Sequence, residues 1–171
     1  MTAPVPAVAP APSGSFGRGI GVALAAAVIG GIIWAIITVT SNYRIGIVVV
    51  GIGFLVGLAI ERFGGGDGRL PIAGALIALL GCLIGDLLIA AHVLADGAHV
   101  GIFDALQHPH VVWDVYTGTF RAFDGVFYAI AAYEGFSFGQ RGLRRAQAAR
   151  AAHQPPSIEV ATSPDDPPIA Q

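Results

Sequence analysis

The stretch RAFDGVFYAIAAYEGFSFG, residues 121–139, decides the fold. It is apolar enough to enter a bilayer, yet Asp124 and Glu134 leave only the nine residues GVFYAIAAY between them. Nine residues reach about 13–14 Å as a helix, against a hydrocarbon core of about 30 Å. Counted with its rims, however, Phe120 to Phe138 is 19 residues, or roughly 28 Å. Asp124 then falls near one rim, three residues after Arg121, and Glu134 near the other, on the side of Arg141. Each acid can reach water or a basic neighbour, so the segment reads as a rim-anchored crossing helix.

Composition points the same way. The 171 residues have a mean hydropathy of +0.70, and only 12% are charged, about half the share usual in soluble domains. Such a chain lacks the polar side chains to cover a soluble surface. The class expected is all-α: a polytopic membrane protein built as a compact bundle of four transmembrane helices with disordered tails. Cys82 is the single cysteine and sits inside an apolar run, which excludes an intramolecular disulfide and a thiol-rich metal site.

Working outward, residues 1–15 are a Pro/Ala-rich N-terminal tail that reads as disordered, and 146–171 a second disordered tail. Nine of the eleven prolines lie in these two segments, so the folded domain is expected at 16–145. A secretory leader is disfavoured, because the apolar run that follows the first tail is longer than a leader's core. The spans are expected at about 18–40, 44–62, 70–95 and 120–138. The SNY connector is so short that the first two must form an antiparallel hairpin. FGGGDGRLP at 63–71 lacks a following Lys-Ser/Thr and reads as a turn rather than a phosphate loop, with Pro71 in the first turn of the third helix. Residues 96–119 read as an external interfacial loop in which Pro109 breaks any helix.

All nine basic residues are Arg. With four crossings, Arg18, Arg62, Arg69, Arg141, Arg144, Arg145 and Arg150 share one side, and Arg44 and Arg121 the other. That bias places both termini in the cytoplasm of a multi-pass protein of the bacterial inner membrane. Three crossings would put the RGLRRAQAAR cluster outside, against the same rule.

Lipid offers helices no hydrophobic reason to leave it for one another, so close backbone approach must hold the bundle together. Small residues at four-residue spacing permit it: Gly19, Ala23, Ala27 and Gly31 in the first helix, Gly53 and Gly57 in the second, and Gly74 with Ala78 and Gly81 with Gly85 in the third. The same stripes could instead serve self-association.

IIWAIITVTSNYRIGIVVVGIGFLVGLAI together with FDGVFYAIAAYEGFSF resembles a group of small uncharacterised bacterial four-helix membrane proteins. These pair a Trp in the first helix with a Tyr-x-x-Gly connector, a GxGFLVG-like second helix and a Phe-Asp-x-x-Phe-Tyr-x-Ile-Ala-x-Tyr-Glu-Gly fourth helix. The match covers most of 17–139 and neither tail, and Arg44 departs from it at the connector. The resemblance implies four helices and makes Asp124, Tyr128, Tyr133 and Glu134 a pattern to test; it implies no reaction.

Asp86 is the sharpest anomaly within a span. An ionised Asp near the bilayer centre costs about 2.5–3.5 kcal/mol, so it should face the bundle, bind a proton or find a partner. Asp86 is the first candidate ion or proton site, with Asp124 and Glu134 as relays; the competing reading is a structural hydrogen-bonding residue. His92, Asp96 and His99 fall at i, i+4 and i+7 and would share a face able to hold a transition metal if the third helix runs that far, with His108 and His110 available to complete the set. No Ser-His-Asp or Cys-His spacing is readable, which argues against an enzyme, and no cofactor is expected. Ten of the fifteen aromatic residues crowd into 103–138, and Trp113 and Tyr116 suit a headgroup boundary. The expected partners are the lipid bilayer and a second copy or another membrane protein, not nucleic acid. The leading expectation is a structural or protein-interaction module; the alternative is a small transporter or channel subunit using Asp86.

Overall fold

A computed structural model describes residues 14–41 and 46–153. They form six helices and no strand: α1 (Phe16–Ser41), α2 (Gly46–Phe63), α3 (Leu70–Ala98), α4 (Ile102–Leu106), α5 (Pro109–Thr119) and α6 (Ala122–His153). The protein is all-helical over these residues. Two of the helices, α1 and α3, are long and apolar enough to cross a membrane. The SNY connector with Arg44, most of the first tail and everything after His153 lie outside the described residues.

The four long helices pack as a rhombus. α1 and α6 each lie against both α2 and α3, α2 touches α3 more lightly across the short diagonal, and α1 and α6 do not meet among the described residues. The core between them is made of small and β-branched side chains, with Ala23, Ala27, Ile52, Val56, Ala78 and Cys82 fully or almost fully buried. Outside it, large apolar side chains stand exposed on every long helix: Ile29, Ile33 and Ile36 on α1, Phe54 and Leu55 on α2, Ile72 and Leu76 on α3, Val126 and Ile130 on α6. Soluble monomers rarely present apolar surface on this scale.

Glycine sets the distances. A Cβ at Gly31 would meet the Gly81 carbonyl oxygen at 2.7 Å, and one at Gly53 would meet the backbone of Ala131 at 2.5–2.9 Å. Gly74 and Gly135 face each other backbone to backbone across α3 and α6. All ten small residues singled out in the sequence are buried inside the bundle, so these stripes are used within the chain.

The Gly-rich turn between α2 and α3 is wedged between the start of α1 and the far end of α6. Gly65 adopts φ +71°, the left-handed region open to glycine, while its backbone abuts Gly14. A Cβ at Gly66 would meet Ala146 at 2.9 Å and the Arg150 guanidinium at 3.2 Å. Leu70 and Pro71 open α3, where the missing proline N–H costs no helical hydrogen bond.

Three boundaries differ from the sequence reading. First, α6 runs past the expected end of its span at 138 and past the domain boundary at 145, through His153, 32 residues or about 48 Å, so the first part of the expected 146–171 tail is helix. RRAQAARAAH is made of good helix formers with no proline before 155, and Arg145 of this extension pairs with Glu61 at the end of α2. Second, α3 continues to Ala98 and stops at His99, whose left-handed φ 55°, ψ 40° forms the cap, with Val100 N–H donating to the Ala95 carbonyl at 3.0 Å. Third, 96–119 is largely ordered as α4 and α5. Pro109 starts α5 rather than ending a helix, and α5 packs on α3 through Val112 against Ala90 and Ala91.

Candidate functional site

Because α1 and α6 stand apart, a cleft of about 1220 Å³ opens between them, with α3 as its floor and the α5–α6 junction at its mouth. Asp86 of α3 lines that floor and is only 6% exposed. Its neighbour Gly85 explains how α1 comes so close: a Cβ there would meet Trp34 Cδ1 at 2.5 Å. Glycine leaves room for the indole edge against α3, with its N–H turned toward the acid.

Trp34 Nε1 donates to Asp86 Oδ1 at 3.3 Å, and the Tyr128 hydroxyl donates to Oδ2 at 3.0 Å. Each of the two carboxyl oxygens of Asp86 thus accepts one hydrogen bond, from donors on two different helices. The bonds span 52 and 42 residues of sequence. They join α1 to α6 through α3, the pair of helices that share no direct packing.

Thr38, one turn beyond Trp34, also lines the cleft and is 7% exposed. Its Oγ1 finds no hydrogen-bond partner among the described residues. An orphaned buried hydroxyl is costly where water cannot reach it; beside an open cleft it can serve a ligand or a water. Toward the mouth stand His92, Asp96, Arg121 and Asp124, and the walls carry Phe120, Phe123 and Phe127. Aromatic contacts run from Trp113 through Tyr116 and Phe120 to Tyr128, the first tilted and the other two edge-on, with ring centroids 5.3, 5.6 and 5.9 Å apart. The aromatic crowd of the sequence is thus partly a buttress for the tyrosine that holds Asp86.

The three acids proposed as ion or proton sites separate. Asp86 and Asp124 line the same cleft, and Asp124 Oδ2 also accepts the Arg121 backbone N–H at 2.9 Å, which anchors the start of α6. Glu134 lies ten residues further along α6, about 15 Å away along the axis, and does not line the cleft. Its Oε2 is buried without a partner among the described residues. Arg141, read as its basic neighbour, lies 4.7 Å from the centroid of the Phe138 ring instead.

The metal set does not assemble. His92 and Asp96 line the cleft, but His99 sits past the end of α3 in the left-handed cap, so the shared helical face ends before it. His108, which precedes α5, and His110 in its first turn meet edge to face, with ring centroids 6.3 Å apart. Among the described residues no three His, Cys, Asp or Glu side chains gather to hold a metal ion.

Two partners of Asp86 were not singled out as its ligands in the sequence: Trp34, noted only within a family pattern, and Tyr128. The packing pair Gly135 and Gly139 on α6 was missed as well. Gly139 meets Pro71 across α3, and the two stand at the same four-residue spacing that marks the other helices. That spacing was a usable signal. Comparison of the chain with protein-family models, curated proteins and solved structures gives no match.

Proposed function

We propose that the protein crosses the bacterial inner membrane four times, through α1, α2, α3 and the first part of α6, with both termini cytoplasmic. We further propose that it is a small transporter or channel subunit whose proton or cation site is Asp86. The spanning reading is supported by the exposed apolar side chains on all four long helices and by the Arg-rich end formed by Arg18, Arg62, Arg69 and the α6 extension. Active alkaline phosphatase fused after His99, with an inactive fusion after Gln171, is the outcome expected; the reverse pattern would refute the orientation.

The observation that carries the functional reading is a buried carboxylate on the floor of an open cleft between two helices that do not touch. Intramembrane acids are expensive and mark ion or proton paths when they line a cavity. Here the indole N–H and the tyrosine O–H hold the charge until a proton or cation arrives. Protonation removes one acceptor site, which loosens the bridge from α1 or α6 and couples occupancy to the separation of those helices.

Proteoliposomes under an imposed potential provide the test, with an internal pH dye and a cation-sensitive dye. Flux in the wild type that falls by an order of magnitude or more in Asp86→Asn supports the assignment. Flux unchanged by that substitution, or none in the wild type, removes it. In the latter case the structural and interaction-module reading stands, supported by Asp86 linking three helices through Trp34 and Tyr128.

A further inference from the structure

At the opposite end of the bundle from the cleft, α6 presents Arg141, Arg144 and Arg145 within one and a half turns, and their environments differ. Arg141 covers the Phe138 ring and Arg145 pairs with Glu61, whereas Arg144 has neither an ion-pair nor a ring partner among the described residues. Its side chain lines a groove of about 350 Å³ between α6 and the start of α3. Gln140 and Gln147 flank it at i−4 and i+3, which puts all three polar side chains on one helical face. Below them the groove continues onto Phe136 of α6 and Ile72 of α3, and Ile72 is 61% exposed.

From one end to the other, the groove therefore passes from a guanidinium and two carboxamides, with Leu143 beside them, to the half-buried Phe136 and the exposed Ile72. That gradient matches one molecule class: an anionic head followed directly by a hydrocarbon chain. We infer that this groove is a binding site for an anionic glycerophospholipid of the cytoplasmic leaflet. Arg144 takes the phosphodiester, Gln140 and Gln147 donate to the phosphate or to the headgroup hydroxyls, and an acyl chain lies along Ile72 and Phe136. Arginine suits the role because its planar fork pairs two phosphate oxygens at once. Charge complementarity favours an anionic lipid over a zwitterionic one, since no carboxylate lines the groove. The inference rests on the spanning topology proposed above, which sets Arg144 at headgroup level.

The test uses the full-length protein in detergent, titrated with short-chain phosphatidylglycerol, short-chain phosphatidylcholine and glycerol 3-phosphate, with bound lipid counted by native mass spectrometry. Phosphatidylglycerol should bind in preference to phosphatidylcholine, and Arg144→Gln should weaken it about fivefold, the factor expected for one basic residue near an anionic headgroup. Arg62→Gln, on the same basic end but outside the groove, should leave it unchanged. Equal binding of the two lipids, no effect of Arg144→Gln, or an equal loss in Arg62→Gln would overturn the site. Full competition by glycerol 3-phosphate at the same concentration would also overturn it, in favour of a soluble anion. Retention in phosphatidylcholine vesicles after alkaline washing reports the spanning topology separately, so failure of that reading is told apart from failure of the lipid site.

Discussion

Gly135→Ala and Gly125→Ala place the same methyl group on the same helix, and only the second should raise stability. At Gly125 nothing lies within 4 Å of the added Cβ, so alanine gains up to about 1 kcal/mol of helix propensity. At Gly135 the Cβ would lie 2.5 Å from the Gly74 carbonyl oxygen and 2.8 Å from its carbonyl carbon, whereas ordinary contact begins at 3.4 Å. Both obstacles are backbone, and neither can rotate aside. α3 and α6 must part locally by about 0.9 Å, the difference between the 2.5 and 3.4 Å distances. Forcing an extra methyl into packed structure costs about 1–3 kcal/mol, which cancels or outweighs the propensity gain. The Gly135 variant should therefore fall below the Gly125 variant by about 1–3 kcal/mol. Reversible unfolding in mixed micelles titrated with dodecyl sulfate, followed by circular dichroism, measures the difference. Equal midpoints for the two variants would refute the reasoning, because they would mean that α3 and α6 do not approach at Gly74 and Gly135.

Three other outcomes are expected. Tyr128→Phe removes the donor to Asp86 Oδ2 and should lower stability by about 1 kcal/mol in the same titration; an unchanged midpoint would show that the hydroxyl does not hold the acid. Cys82 is fully buried and should resist a maleimide in the folded protein while reacting readily in dodecyl sulfate, and rapid labelling before unfolding would contradict the packed core. Arg145→Ala releases the α6 extension from Glu61, so brief trypsin treatment should cut faster at Arg144 and Arg150, with wild-type cleavage rates counting against a docked extension.

Much of the helical framework is legible from local pattern alone. Long apolar runs can form α1 and α3 because a helix satisfies its own backbone hydrogen bonds regardless of what surrounds it. Local pattern fails where order depends on something distant. The α6 extension has no apolar face and reads as a tail, but Glu61 and the glycine turn hold its first half from the side. The i, i+4, i+7 alignment of His92, Asp96 and His99 assumed a helix that reaches 99, and the left-handed cap removes the last member. Gly135 carried the same spacing signal as Gly53 and Gly74, yet it lay in a segment judged by its two acids.

Asp86 marks the division most clearly. A carboxylate inside an apolar run is conspicuous in one dimension, because the energetic cost of burying a charge follows from composition and position. The way that cost is met belongs to three dimensions. Trp34 and Tyr128 are separated from Asp86 by 52 and 42 residues, and a hydrogen bond forms at about 3 Å whatever the sequence distance. The amino-acid sequence determined that this chain is helical, apolar and burdened with one acid in the middle of a long apolar run. Only the packing of four helices, two of them kept apart, decided that this acid is clamped by an indole and a phenol at the bottom of a cleft.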